Sequence, residues 1–125
     1  RCRGSRFFAF IQFEEPDEQG HVYKEGSPEY AEGIRADDRW LGILVEKLKA
    51  MGVYGRTAVF VVSDHGFDPG LRSHRTAPDT FLAVNLPGRL RAGDRKDVTP
   101  TILETLGVAP ASVDPPLDGR SLWEP

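Results

Sequence analysis

The chain has three histidines, and each lies in a polar loop that follows an apolar run: His21, His65 and His74. Two of them carry an aspartate at a workable spacing. Asp17 lies four residues before His21, a separation that one helical turn or a tight loop brings to one side, and Asp64 directly precedes His65. Imidazole nitrogen with carboxylate oxygen and no thiolate suits zinc or a similar divalent transition metal, whereas calcium and magnesium prefer oxygen alone. Asp17, His21 and His74 can make a three-ligand set, with Asp64 and His65 as a second set beside it. Three protein ligands and an open position form a catalytic arrangement rather than a structural one. Position and spacing together weigh against three unrelated surface histidines.

Such ligands need elements to hold them. Residues 58–62, an unbroken apolar run rich in valine, predict a strand covered on both faces, with Asp64 and His65 at its carboxyl end, where open α/β sheets place ligand sites. Residues 7–13 predict a second buried strand and residues 80–85 a third. Between the first two, Ser27 can cap, Pro28 fits the first helical position and Gly52 marks the stop, which predicts a long helix over residues 28–51. Its stripe of Tyr30, Ile34, Leu41, Leu44, Val45 and Leu48 would face the sheet. Asp37 and Asp38 are assigned to that helix and Glu14 and Glu18 to a charged loop, outside the site. A crossover helix of this length makes the strands parallel, so that the ligand loops meet on one sheet edge. A second helix over residues 97–107 takes Asp97 or Thr99 as cap and Gly107 as stop, and residues 118–123 form a short docking segment after a Pro-rich stretch. The fold class expected is α/β, a parallel-type sheet flanked by helices in an α/β/α sandwich.

At 125 residues the chain has the size of one small domain. A hydrophobic fraction of 39% beside 28% charged residues reads as a globular chain and disfavours disorder, and no apolar run is long enough to span a membrane. The net charge of −3, with both signs interspersed, gives no nucleic-acid patch; Arg89, Arg91, Arg95 and Lys96 read as a solvated loop. The single cysteine, Cys2, excludes an internal disulfide. The chain enters its first apolar run almost at once and has no initiator Met, as expected of a piece of a longer protein. Oligomeric state is not legible.

Residues 15–21 (Glu-Pro-Asp-Glu-Gln-Gly-His), residues 63–66 (Ser-Asp-His-Gly) and His74 resemble, in order, the metal-ligand motifs of the alkaline phosphatase superfamily, closest to its nucleotide pyrophosphatase/phosphodiesterase-like members. The similarity extends through the intervening helix to residues 97–103 and 118–122. It implies that residues 1–125 are the C-terminal portion of an alkaline-phosphatase-like hydrolase domain. By the resemblance, Asp17, His21 and His74 would bind one divalent ion and Asp64 and His65 the other, with zinc expected and manganese the alternative.

The resemblance further implies two-metal hydrolysis of a small-molecule phosphoester through a covalent phospho-enzyme, and favours an extracytoplasmic location. The family's Ser or Thr nucleophile and a further aspartate would lie upstream, so no catalytic residue is assigned in this chain, and it is expected to be inactive alone. Ser63 is a poor substitute, being inside the strand-end motif. Lys24 stands where relatives often carry glycine. Sulfatase-like, phosphonate hydrolase and phosphomutase activities are alternatives within the superfamily, although sulfatases use a largely oxygen-ligated calcium site. A catalytically inert metal-binding module is the alternative outside it.

Overall fold

The computed structural model of the chain describes residues 7–77 and 79–124, so Cys2 lies outside the described residues. The chain divides into two compact units, one formed by residues up to Lys47 with Phe67–Thr76, the other by Leu48–Gly66 with the residues from Ala77 onward.

The first unit is helical. α1 (Asp17–Tyr23) opens with Asp17 and Glu18 against the positive end of its dipole. α2 begins at Pro28 and runs to Ala50, its last turn lying in the second unit. The Ser27 hydroxyl accepts the Tyr30 N–H at 3.1 Å, the N-cap bond expected of it. Gly52, at φ 67°, closes α2: its N–H donates to Lys49 O and that of Val53 to Leu48 O, the paired bonds of a Schellman stop. The apolar stripe is only partly covered, for Tyr30, Leu41, Val45 and Leu48 are half-buried while Ile34 and Leu44 are exposed.

Two expectations about strands are corrected. Residues 7–13 form no strand among the described residues, and their large side chains are exposed, Phe10 at 80%. High β propensity cannot by itself make a strand, because the ladder needs a partner for its N–H and C=O groups. The sheet of the described residues is two-stranded and antiparallel, not parallel: β1 (Phe60–Val62) pairs with β2 (Leu82–Val84) in the register Phe60 to Val84 and Val62 to Leu82. No helix lies between these strands, so nothing imposes a parallel crossover, and an irregular connection can return the chain antiparallel. β1 is also half-buried to exposed rather than covered on both faces.

Side chains extend the pairing. Asn85 Oδ1 accepts the Val59 N–H at 2.8 Å while its amide donates to Thr57 O, and Ser63 Oγ accepts the Phe81 N–H at 3.1 Å.

The rest of the second unit is organised around Asp97 and Thr101. α3 (Val98–Thr105) follows a short 3₁₀ turn capped by Asp94, and ends at Gly107 in a second Schellman stop. The C-terminal segment docks as the sequence suggests. Thr101, fully buried, donates its hydroxyl to Asp97 O and accepts the Leu122 N–H, while Trp123 bridges to Leu90. Arg91 is not part of a solvated loop: its side chain is half-buried, and its guanidinium pairs with Asp97 at 3.0 Å and donates to Ser121 O and Arg120 O. No helix among the described residues is long and apolar enough to cross a membrane.

Candidate metal centre

α1 places Asp17 and His21 one turn apart on the same face, the helical option of the two that their spacing allows. Asp17 Oδ2 stands 3.5 Å from His21 Nε2. His74 arrives from the loop of residues 67–76, and its ring centroid lies 5.1 Å from that of His21. Among the described residues, Asp17, His21 and His74 are the group of metal-ligating side chains whose donor atoms converge, all within 4.8 Å of one another.

The donor set fits a divalent ion of the zinc type. His21 Nδ1 is 2.9 Å from Arg72 O; a carbonyl only accepts, so Nδ1 carries a proton, which leaves Nε2, beside Asp17, as the atom that can meet a metal. Tetrahedral zinc, with bonds of about 2.0–2.1 Å, holds its ligands about 3.4 Å apart. Loading the site therefore asks these side chains to close by an ångström or so.

The histidines are packed by rings. Phe67 meets His21, Tyr30 and His74 edge-on at 5.2, 5.6 and 5.6 Å between centroids. Gly20 makes room for it, since a Cβ there would stand 2.5 Å from the Phe67 ring. Burial raises the Tyr30 phenol above its ordinary range, with the charges of Glu25 and Asp17 adding to the effect.

The loop that carries His74 closes on Asp68, 4% exposed. Asp68 Oδ2 accepts the Ser73 hydroxyl at 2.6 Å and the Arg75 N–H at 3.0 Å; Oδ1 accepts the Thr76 hydroxyl at 2.6 Å and the Thr76 N–H at 2.9 Å. These bonds, the Ser73 hydroxyl first and the Thr76 hydroxyl next, hold the carboxyl down at about 2 against the opposing effect of burial. Sequence reasoning passed over Asp68, Phe67 and Gly20. The available signal was an aspartate at a Pro-Gly turn with Ser and Thr following, a pattern that lets a carboxylate fold the chain around itself.

Asp64 and His65 belong to the second unit. The Asp64 side chain is 86% exposed; its Oδ1 accepts the His65 N–H at 3.0 Å and its Oδ2 lies 3.7 Å from His65 Nε2. His65 Nδ1 donates to Gly66 O at 3.1 Å, again leaving Nε2 as the ligand atom. Arg95 fixes the backbone here by donating to Asp64 O at 2.8 Å. Ser63 Oγ is engaged in the strand pairing described above.

Residues 4–110 match the type I phosphodiesterase / nucleotide pyrophosphatase family. Curated relatives include a bis(5'-adenosyl)-triphosphatase of Pongo abelii, 38% identical over 60 residues that make up 47% of this chain and 13% of that protein. A venom phosphodiesterase 2 of Crotalus adamanteus is 34% identical over 61 residues, 49% of this chain and 8% of its own. The ectonucleotide pyrophosphatase/phosphodiesterase family member 1 of Mus musculus is 33% identical over 63 residues, 50% of this chain and 7% of its own. The aligned part of the chain thus spans about a tenth of the length of these relatives. No solved structure matches it.

Proposed function

Because the chain belongs to the type I phosphodiesterase / nucleotide pyrophosphatase family, we propose that it is part of a metal-dependent hydrolase of phosphodiester or phosphoanhydride bonds. In this reading Asp17, His21 and His74 hold one divalent ion, zinc before manganese, and Asp64 and His65 contribute to a second. The observation that supports it most is the convergence of Asp17, His21 and His74 within 4.8 Å, with His21 held in the tautomer a metal ligand needs.

A bound divalent ion supplies Lewis acidity toward a phosphoryl oxygen. The chain's own part is to present two imidazoles and a carboxylate, and to keep the imidazoles oriented through Arg72 O and the Phe67 ring. Ser63 Oγ lies within the strand-end motif, where the family places no nucleophile and where it accepts the Phe81 N–H; the nucleophile in this proposal is a Ser or Thr hydroxyl contributed by another part of the parent protein. The relatives' names point to a small-molecule substrate with a nucleotide phosphoester or phosphoanhydride link, and their venom and ectonucleotide designations to a place outside the cytoplasm.

Calorimetric titration of the chain with zinc tests the centre: binding lost in His21→Ala and His74→Ala supports it, and unchanged binding in both variants overturns it. An aryl phosphodiester assay with zinc or manganese tests the chemistry. Turnover by the chain alone, abolished by His74→Ala, would refute the need for an outside nucleophile. Tight zinc binding coupled to folding, with no hydrolysis by the parent protein, would make this a metal-binding module instead.

A further inference from the structure

We propose that Asp68 is the positioning residue of the metal centre, acting on two of its three ligands through one loop. The inference rests on the reading of Asp17, His21 and His74 as ligands.

Asp68 acts on the centre through the loop that carries His74. Its four accepted hydrogen bonds fold residues 68–76 around one carboxylate, each oxygen taking one hydroxyl and one backbone N–H. The Asp68 N–H donates to Ser73 O at 2.8 Å and that of Leu71 to Asp68 O at 2.9 Å, so the same residue closes the turn with its backbone. Two pieces of the centre lie inside this closed segment: His74, between Ser73 and Arg75, and the Arg72 carbonyl that accepts the His21 Nδ1–H. The segment is tied back to the helical part of the unit at Glu25, whose carboxylate accepts the Gly70 N–H at 2.8 Å and whose N–H donates to Leu71 O at 2.8 Å. A shift of the turn therefore moves His74 and releases the His21 tautomer together.

The chemistry at Asp68 demands an ionised carboxylate. Asparagine keeps the volume but replaces one oxygen with an N–H₂ group, and either orientation turns that donor toward the backbone N–H of Arg75 or of Thr76. One edge of the turn must then open. An outer-shell partner that orients a ligating histidine is worth about 10–100-fold in metal affinity when removed, and Asp68 works through two ligands.

The experiment measures zinc affinity by competition with a chromophoric chelator, and the His21 tautomer by imidazole ¹⁵N shifts of the metal-free protein, in wild type, Asp68→Asn, Ser73→Ala, Thr76→Val and His74→Ala. Asp68→Asn is expected to weaken zinc binding at least tenfold and to lose the Nδ1–H preference of His21. Ser73→Ala and Thr76→Val each remove one hydroxyl donor and are expected to weaken zinc binding a few-fold with the fold intact; they decide the matter if Asp68→Asn does not fold. A stabilising role alone would lower the metal-free melting temperature and leave zinc affinity and tautomer in place, which overturns the proposal. If His74→Ala abolishes zinc binding while the Asp68, Ser73 and Thr76 variants match wild type, the positioning role fails and the metal centre stands. If His74→Ala binds zinc as wild type does, both fall.

Discussion

Two aspartates, one in each unit, are buried almost equally, Asp68 at 4% and Asp97 at 5% exposure, and both have their carboxyls held below the usual carboxylate range. They differ in where their donors come from. All four donors to Asp68 are neutral and lie within the next few residues, so its field closes one loop and goes no further. Asp97 takes the Arg120 N–H at 2.9 Å, the Asp94 N–H at 3.1 Å and the Arg91 guanidinium at 3.0 Å, joining α3, the turn before it and the C-terminal segment. The first aspartate shapes a local site. The second holds a tertiary structure, and the two should fail differently.

The largest effect is expected at Asp97. Asp97→Ala strips the acceptor from two backbone N–H groups and from the half-buried Arg91 guanidinium, a loss of about 3 kcal/mol by chemical denaturation. Zinc affinity of the folded variant should stay within about twofold of wild type, in contrast to the loss expected at Asp68. Equal losses of zinc affinity at both positions would erase the distinction between the two aspartates.

Acid separates the two next. Both carboxyls are depressed in the folded state, so each contributes stability that is present above its unfolded pKa of about 3.9 and is lost as pH falls through the folded value, about 2 for Asp68. Wild-type stability should therefore fall between about pH 4 and pH 2. In Asp68→Asn the fall should be shallower, and hydrogen exchange should show the change confined to residues 68–76. A variant whose acid unfolding curve keeps the wild-type slope would show that Asp68 is not held in its ionised form by the loop.

How much of this was legible in the sequence follows the same division between local and distant. The Ser27 cap and the Gly52 and Gly107 stops were, because they act on neighbours within a turn; the cap expected of Asp97 or Thr99 was not, because Asp97 makes no side-chain cap bond to α3 and turns its carboxylate to Arg120, Asp94 and Arg91. The pairing of Asp17 with His21 was legible because helical spacing sets it, and His74 was placed with them by its loop position and the family's motif order. The strand over residues 7–13 was not, since an apolar run states a propensity while pairing is decided by whatever lies alongside. The parallel sheet failed for the same reason: handedness rules govern a crossover, and the described strands are joined by none. Arg91 was misread because a charge run looks solvated until the buried acceptor, Asp97, is folded against it. Asp68 was missed because its role depends on a loop conformation that its own bonds create.

The smallest expected effect lies at Lys24, and it asks whether the first unit uses its strain. Among the described residues every positive-φ position of the second unit is a glycine, Gly52, Gly88 and Gly107, whereas the first unit holds Lys24 at φ 80°, ψ 156°, a region open almost only to glycine. Lys24 sits at the C-cap of α1, directly after the helix that bears Asp17 and His21. Its N–H donates to Gly20 O at 2.9 Å, and that bond closes the helix whatever the side chain. Lys24→Gly removes a strain of about 1–3 kcal/mol and adds back about 0.5–1 kcal/mol of unfolded-state entropy, for a net gain of about 1 kcal/mol by urea denaturation. Zinc affinity should not change, because the Gly20 bond and the i, i+4 placement of Asp17 and His21 survive the substitution. A gain in stability bought with weaker zinc binding would instead mean that the strained lysine sets the ligand geometry, and the local control assigned to Asp68 would then be shared with the end of α1.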